Sequence, residues 1–475
     1  MAKMTIASLF LFFSMTLSCS EELAKQRMEK FQKTKETNTD FFCYKERRNR
    51  LIEKIKTEYP GTKHGALVLF GNFEPDVREF EQERHFFYLT GIKEPGMCLY
   101  LDIASGKSIL YTPGNIKKRA IWAAVQPVFL QENSAKMLNI DQIIELDSNA
   151  EEAFYGPFFE ESDYHDLINR LKKIVQGKGK IFSLNPTINR LVSLEQRCML
   201  NQFCKYLPQL PEHIEDITSM LFLMRQVKDG QEICCLKKAV NITIKAHLAA
   251  AQAIKDGKTE REIRAVIDGT MLTQSRPGFC SIVPSGKDSV ILHKLPDDTV
   301  LKDGKLVIID AGAECPCHRY SGDITRTYPV SGKFTEEQRK IYNIVLEAQQ
   351  HVIKHAKPGY CFSDDNNPEK SLLHITQNFF NEQGYAQYFI HGVGHHIGLG
   401  VHEDCYENPE TWRTAPLQEG SVIALEPGLY IPKLGFGIRI ESNCIVTENG
   451  GVCLDDALPK TAEEIEKLMN RNNND

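Results

Sequence analysis

The chain has 475 residues, of which 42% are hydrophobic and 25% are charged. This length exceeds that of one typical hydrophobic core, so we expect two domains. The formal net charge of -6 at pH 7 provides no basic surface that could neutralise a phosphate backbone. We therefore predict no nucleic-acid partner and a small substrate.

An apolar segment lies at the N-terminus. Lys3 precedes an apolar run over residues 6–17, and the small residues Ser18 and Ser20 follow it. The run is too short to span a membrane and has the outline of an export signal. We predict that residues 1–20 are a signal peptide and that the protein is exported, periplasmic or secreted. If the segment is not a signal, the protein is cytoplasmic. No stable membrane span is predicted elsewhere.

The next part of the chain alternates apolar runs with turns and polar segments. Residues 66–70 and 98–101 are two of these runs. Such alternation is typical of an α/β domain. We assign residues 41–212 to this N-terminal domain.

A change of composition marks the end of the first domain. Pro208 and Pro211 punctuate the chain before a long helical pattern that begins at about Ile214. We predict a second domain over residues 220–469. The Asn-rich residues 470–475 are predicted to be a disordered tail.

Three helices of the second domain are predicted to begin at capping boxes. In this motif a threonine side chain accepts a bond from an amide three residues later, and a glutamate or glutamine there reaches back. The three threonines are Thr259, Thr335 and Thr461. Pro358 and Gly359 are expected to end the second of these helices.

Two aspartates stand in strand-like contexts. Asp310 ends the apolar run 305–309, where an ionised carboxylate is costly unless it is paired or bound to a metal. Thirteen residues later, an alternating pattern places Asp323, Thr325 and Thr327 on one face of a strand.

Two glutamates repeat the pattern near the C-terminus. Glu426 ends the apolar run 422–425, and Arg439 and Glu441 share one face of a later strand pattern. An isolated acid after a strand is usually a turn or cap residue. The interpretation of these acids as a metal site therefore depends on all four of them together.

Residues 391–402 contain four histidines and four glycines. The glycines argue against the helical HExxH type of zinc site. One histidine with four carboxylates suits two hard or borderline divalent ions, and sulfur ligands are not required. Manganese, cobalt and zinc all remain compatible with this donor set.

Together these segments resemble the pita-bread metallopeptidases, and most of all Xaa-Pro aminopeptidase, also called aminopeptidase P. The similar segments are residues 306–310, 322–326, 391–398, 425–428 and 437–441. Residues 76–91 also resemble a segment of that family's N-terminal domain. The resemblance covers about residues 41–469 and implies an α/β N-terminal domain plus an α+β pita-bread catalytic domain of the creatinase/methionine aminopeptidase type.

The resemblance implies a dinuclear metallo-exopeptidase that releases the N-terminal amino acid from peptides with proline in second position. The implied metal ligands are Asp310, Asp323, His395, Glu426 and Glu441. For the two divalent metal ions we expect manganese(II), with cobalt or zinc as alternatives. A water bridging two such ions would be deprotonated near neutral pH and would attack the scissile carbonyl.

The implied catalytic residues are His293, His391, His402, Glu426 and Arg439. Glu426 would accept the proton of the water, and His402 would stabilise the negative carbonyl oxygen. His391 would hold the peptide beyond the cleaved bond, His293 would steady its reacting end, and Arg439 would support the acidic cluster. His396 occupies a position that the family leaves variable and is excluded. We also expect a homo-oligomer.

Two segments depart from the family's pattern. The loop between Asp310 and Asp323 is longer and contains Cys315 and Cys317. We interpret these cysteines as surface thiols, with a redox pair or an accessory metal site as the alternative. Lys294 stands where the family usually has tyrosine, so we expect a different substrate pocket there.

Two other functions remain as alternatives. A prolidase would perform the same chemistry on Xaa-Pro dipeptides and would need a group for the free carboxylate of the proline. A catalytically inactive pita-bread module would bind peptides without metal.

Overall fold

The computed structural model describes residues 42–62, 64–74, 79–114, 116, 125–146, 164–184, 194–403 and 412–470. The predicted signal peptide and residues 471–475 of the predicted tail lie outside the described residues, so both stay predictions. None of the helices in the described ranges is long and apolar enough to cross a membrane.

The N-terminal part contains a six-stranded mixed sheet in the order β4-β3-β2-β1-β5-β6. Its strands are β1 (Gly65–Phe70), β2 (Cys98–Asp102), β3 (Ser108–Thr112), β4 (Gln142–Glu145), β5 (Lys180–Ser183) and β6 (Ile214–Asp216). β2 pairs antiparallel with β1 and β3. The pairs β1–β5, β3–β4 and β5–β6 are parallel.

Helices cover both faces of this sheet. They are α1 (Phe42–Glu58), α2 (Arg84–Thr90), α3 (Ser134–Met137), α4 (His165–Gln176), α5 (Leu194–Tyr206) and α6 (Leu210–His213), with a 3-10 helix at Pro127–Leu130. Leu67 and Leu69 pack in one apolar cluster with Leu51, whereas Val68 and Phe70 pack in a second cluster. Because successive strand residues point to opposite faces, the uninterrupted apolar run of β1 follows from burial on both sides.

The prediction that a long helix begins at about Ile214 is wrong. Ile214–Asp216 forms β6, so the N-terminal sheet extends past residue 212. Two separate helices follow, α7 (Thr218–Gln226) and α8 (Gly230–Ala253). Asp229 starts α8 through a capping box with Glu232, because its side chain satisfies amides that the first turn leaves unpaired.

The second part is built around antiparallel strands. β7 (Leu306–Ala311) pairs with β8 (Ile324–Pro329). A four-stranded sheet has the order β14-β13-β10-β9, and β11 pairs with β12. The bounds of these strands are β9 (Gly394–His396), β10 (Val422–Leu425), β11 (Gly428–Ile431), β12 (Phe436–Arg439), β13 (Ser442–Thr447) and β14 (Gly450–Cys453).

The three predicted capping boxes are confirmed. Both reciprocal bonds are present at Thr259 and Thr335, and Thr461 exchanges the same bonds with Glu464. The helices are α9 (Glu260–Leu272), α10 (Glu336–His355), α11 (Leu372–Glu382) and α12 (Ala462–Asn470), with 3-10 helices at Gly286–Val290, Pro368–Lys370 and Ala386–Tyr388.

The N-terminal domain packs against the part of the second domain that carries the histidine segment. Leu51 and Phe86 share an apolar cluster with Leu236 and Ile397. Polar contacts accompany it: Arg47 Nη2 lies 2.6 Å from Asp229 Oδ2. This packing places the N-terminal domain beside the residues that form the candidate site.

Candidate metal centre

The five predicted metal ligands converge although they lie far apart along the chain. Their ligand atoms, with that of His402, form three overlapping groups within which all atoms lie less than 4.8 Å apart. The groups are Asp323, His395, His402; His395, Glu426, Glu441; and Asp310, Asp323, Glu441. Each of the five belongs to at least one group, so the cluster forms a single site.

Strand pairing explains this convergence. Asp310 on β7 lies opposite Thr325 on β8, two residues beyond Asp323. His395 on β9 lies opposite Ala424 on β10, two residues before Glu426. Side chains two positions apart on a strand share a face, so each strand pair brings two ligands to the same side.

Polar neighbours fix Asp323 and Glu441. The Asp323 amide donates to Asn443 Oδ1 at 2.9 Å, and Asn443 Nδ2 donates to the Asp323 carbonyl at 2.7 Å. Thr325 Oγ1 donates to Glu441 Oε2 at 2.7 Å. Asn443 was not identified from the sequence, because it lies 120 positions from Asp323.

Arg439 is a buried cation beside the carboxylates. Its Nη2 donates to Asp310 Oδ2 at 2.6 Å, its Nη1 to the Tyr430 hydroxyl at 2.8 Å, and its Nε to Thr325 Oγ1 at 3.3 Å. One guanidinium cannot offset the charge of four carboxylates that lie so close together. The site therefore has an excess of negative charge when all four are ionised.

Two carboxylate oxygens lack protein donors. Asp323 Oδ1 and Glu441 Oε1 are buried, and no group in the described part of the chain donates a hydrogen bond to them. Burial and the charge of Asp310 raise the pKa of Asp323 to about 7. Burial and the charges of Asp323 and Glu426 raise the pKa of Glu441 well above its usual value. A cation in the cluster would stabilise the ionised form of both carboxylates and so oppose both shifts.

His395 presents a suitable nitrogen to these oxygens. Its Nδ1 lies 3.1 Å from the His396 carbonyl, which can only accept, so Nδ1 carries the proton. In the neutral ring, Nε2 then directs a lone pair towards Asp323 Oδ2 at 3.5 Å and Glu441 Oε1 at 3.8 Å. A lone pair facing carboxylate oxygens is the arrangement that a shared metal ion satisfies. The donor set thus fits divalent cations.

The three other predicted histidines line the same cavity. The ring centroid of His402 lies 4.1 Å from that of His395, and burial lowers the pKa of His402 to about 3. Burial also lowers the pKa of His391. His293 is exposed at the cavity wall. His391 and His402 are therefore neutral rings at neutral pH.

Tyr430 is a site residue that the sequence reasoning missed. Its hydroxyl lies 3.0 Å from His391 Nε2 and accepts from Arg439 Nη1, so it joins two predicted catalytic residues. The signal available was its place on β11 between the apolar Leu429 and Ile431, which marks a polar group facing the opposite side.

A cavity of about 1030 Å³ lies over the cluster and is bounded by both domains. Arg84, Phe87 and Lys93 contribute from the N-terminal domain. At the rim, Arg319 Nη2 lies 2.9 Å from Glu81 Oε1, so an ion pair joins the domains there. A concave site of this size accommodates a small molecule or a peptide segment.

His396, which the prediction excludes, lies apart from the cluster. Its ring is fully buried and packs edge-on against Phe222 and Phe362. Burial lowers its pKa to about 3, so it is a neutral core residue.

The interpretation of the loop cysteines as two surface thiols is wrong for one of them. Cys315 is buried, with 1% exposure, whereas Cys317 is exposed. Cys315 lies in an apolar cluster with residues of both domains, including Phe86 and Leu236. This burial results from the domain packing, which local sequence does not reveal.

Lys294 binds Glu260 rather than filling the cavity. Glu260 is fully buried, and its Oε2 lies 2.5 Å from Lys294 Nζ while its Oε1 accepts from the Ser285 amide at 2.8 Å. Glu260 thereby holds both ends of the segment that carries His293.

Comparison with known proteins identifies the family. The model of metallopeptidase family M24 matches residues 234–448, and that of the aminopeptidase P N-terminal domain matches residues 44–154. An Xaa-Pro aminopeptidase of Haemophilus influenzae is 30% identical over 457 residues, which cover 90% of this chain and 97% of the relative. The chain belongs to the Xaa-Pro aminopeptidases of metallopeptidase family M24. It is therefore a metallopeptidase.

Structural similarity agrees with this membership. Aminopeptidase P from Escherichia coli, solved with the inhibitor Pro-Leu, has a TM-score of 0.72 and 26% identity over 91% of this chain and 99% of that one. The predicted fold, an α/β N-terminal domain with a pita-bread catalytic domain, is confirmed. An Xaa-Pro dipeptidase of Pyrococcus furiosus is 41% identical over 244 residues, 51% of this chain and 65% of that protein. That likeness is confined to part of the chain.

Proposed function

We propose that this protein removes the N-terminal amino acid from peptides whose second residue is proline, with two divalent metal ions at the five-residue cluster. Asp310, Asp323, His395, Glu426 and Glu441 are the proposed ligands. The observation that supports this most is the position of His395 Nε2, 3.5 Å from Asp323 Oδ2 and 3.8 Å from Glu441 Oε1, in two carboxylates that have buried oxygens without protein donors. The oxygen-rich donor set favours manganese(II), with cobalt or zinc as alternatives.

Two divalent ions in this cluster would supply a water nucleophile near neutral pH and polarise the scissile carbonyl. Glu426 is only partly buried, whereas Asp310, Asp323 and Glu441 are buried, and Glu426 lines the cavity. In our proposal it accepts the proton of the attacking water and returns it to the leaving proline nitrogen. This return is required because the proline nitrogen leaves as an amine and not as an anion.

The histidines that line the cavity position the peptide. His402 lies against His395 at the cavity side and donates a hydrogen bond to the carbonyl oxygen as that oxygen becomes negative. The bond from Arg439 to Tyr430 orients the hydroxyl, which in turn fixes the ring of His391. The ring of His391, held in this way, lines the cavity beside the peptide beyond the cleaved bond, and His293 steadies the reacting end.

A metal-reconstitution assay tests the proposal. The metal-stripped protein is loaded with manganese, cobalt or zinc and given Xaa-Pro-Yaa peptides, Xaa-Pro dipeptides and Xaa-Ala-Yaa peptides. We expect metal-dependent release of the first residue from the Xaa-Pro-Yaa peptides only. Glu441→Gln should lose both metal and turnover, whereas Glu448→Gln, an exposed change on the same hairpin, should keep both. Retention of metal and turnover in Glu441→Gln would refute the ligand assignment.

Prolidase activity is the second candidate, favoured by the 41% identity to the Pyrococcus furiosus dipeptidase in the catalytic half. Faster hydrolysis of Xaa-Pro dipeptides than of Xaa-Pro-Yaa peptides would establish it. A protein that binds such peptides yet holds no divalent ion after dialysis against metal would instead be a peptide-binding module.

A further inference from the structure

Two cysteines lie in contact on the hairpin that follows Glu441. Cys444 is on β13 and Cys453 on β14, and the two residues are direct partners in the antiparallel register. Their sulfur atoms lie 3.0 Å apart. Cys444 is fully buried, and Cys453 is partly exposed.

The register places this pair where a cross-strand bond can form. The Leu454 amide donates to the Asn443 carbonyl, so the adjacent pair Cys444 and Cys453 is a non-hydrogen-bonded pair. The Cα atoms of such pairs are about 4.5 Å apart. That separation is within the range of about 4.4–6.8 Å that a disulfide bond accommodates.

We propose that Cys444 and Cys453 form a disulfide bond that braces the hairpin behind the metal cluster. The oxidant is a disulfide of a small thiol or of a thiol oxidoreductase. The partly exposed Cys453 attacks it as a thiolate and releases one thiol. Cys444 then gives up its proton and attacks the sulfur of Cys453, which releases the second thiol. Two electrons and two protons pass to the oxidant.

The hairpin holds two metal-cluster residues from behind, so the bond would act close to the site. Asn443, next to Cys444, binds both backbone groups of Asp323. Asp455, two residues after Cys453, binds Arg326 Nη2 at 2.7 Å, and Arg326 Nη1 donates to the Glu441 carbonyl at 2.6 Å. A covalent link between β13 and β14 fixes these two supports relative to one another.

Peptide mapping tests whether the bond forms. The protein is exposed to oxidised glutathione, alkylated under denaturing conditions without reductant, and digested. Trypsin leaves both cysteines in the peptide from Ile440 to Lys460, and cleavage after Glu448 then separates them. We expect an unalkylated tryptic peptide lighter by two hydrogens, whose halves stay joined until reduction. Alkylation of both cysteines in the oxidised protein would overturn the proposal.

Thermal unfolding tests the bracing. Reduction should lower the melting temperature of the oxidised protein by about 5 °C, as expected for a short disulfide loop. The same drop should occur in Cys280→Ser, which removes an exposed thiol elsewhere, and should vanish in Cys444→Ser/Cys453→Ser. If the double variant does not fold, the reduced and oxidised wild type still give the comparison. An unchanged melting temperature in the wild type, or an equal drop in the double variant, overturns the bracing.

Discussion

Arg439 and Asp310 form a buried charged hydrogen bond of 2.6 Å at the edge of the carboxylate cluster. Their side chains are 3% and 12% exposed. The guanidinium is thus the protein's own counter-charge for a carboxylate that we propose as a metal ligand. Its contribution should depend on whether cations occupy the cluster.

Replacing Arg439 with methionine should destabilise the metal-free protein more than the metal-loaded protein. Loss of one partner of a buried ion pair costs about 3–5 kcal/mol, and bound cations would replace part of the lost charge. Urea unfolding with and without metal measures both values. Arg261→Met, which removes an exposed ion pair with Asp298, should change little. Equal losses in the two states for Arg439→Met would contradict the expectation.

Tyr430→Phe should lower kcat/KM by about 10- to 100-fold, the value of a hydrogen bond to a charged group. The hydroxyl joins His391 to Arg439, so its loss should disturb how the peptide is held and leave metal content unchanged. Kinetics and metal analysis are measured on the same preparation. Tyr328→Phe is the matched control, because that buried hydroxyl contacts His247 at 3.2 Å, a residue outside the proposed site. Equal activity of Tyr430→Phe and wild type would contradict this role.

The sequence predicted those features that depend only on residues close together in the chain. The capping boxes at Thr259, Thr335 and Thr461 lie within four residues of chain, and the strand ends at Asp310 and Glu426 follow directly from apolar runs. The start of α7 was misplaced because the pairing of Ile214–Asp216 with β5 is a long-range contact. Local periodicity carries no information about such a partner.

Two glycines of the histidine segment leave space for neighbouring side chains, which the sequence did not reveal. A Cβ at Gly398 would lie 2.4 Å from Glu403 Oε1, and one at Gly400 would lie 2.3 Å from Arg84 Nη1. The glycines therefore admit charged side chains that pack against the loop. Glu403 was missed because its partners Arg225 and Lys228 lie more than 170 positions away.

Glu403→Gln should lower the free energy of unfolding by about 3–5 kcal/mol, because two buried cations lose their counter-charge. Glu403 is 2% exposed, and it accepts from Arg225 Nη2 at 2.8 Å, from Lys228 Nζ at 2.9 Å and from the Leu399 amide at 2.8 Å. Chemical unfolding at pH 7 measures the loss. A difference within experimental error would show that the network contributes no stability.

The pH dependence of stability distinguishes the contribution of the Glu403 charge from that of the packing of its side chain. Burial opposes its ionisation, but the charges of Lys228 and Arg225 outweigh burial and hold its pKa well below the ordinary value of 4.5. A lowered carboxylate pKa contributes stability above the unfolded pKa, and that contribution is lost as the pH falls towards the folded value. Wild type should therefore lose stability more steeply below about pH 4.5 than Glu403→Gln. Parallel curves would contradict the ion-pair explanation.

Metal should stabilise the protein more as the pH rises from about 4 to 8. In the metal-free protein the pKa of Asp323 is raised from 3.8 to about 7. Between these values the folded state keeps a proton that the unfolded state has lost, so the metal-free protein loses stability as the pH rises. Metal ions bind the deprotonated carboxylate and remove this loss.

At a free metal concentration about 100 times Kd the stabilisation is about 2.7 kcal/mol. Calorimetry of chelated and reconstituted protein at several pH values measures the difference, with sodium chloride at the same ionic strength as the control for screening. A stabilisation that is constant with pH, or that falls as the pH rises, would show that the carboxylates of this cluster do not bind the metal.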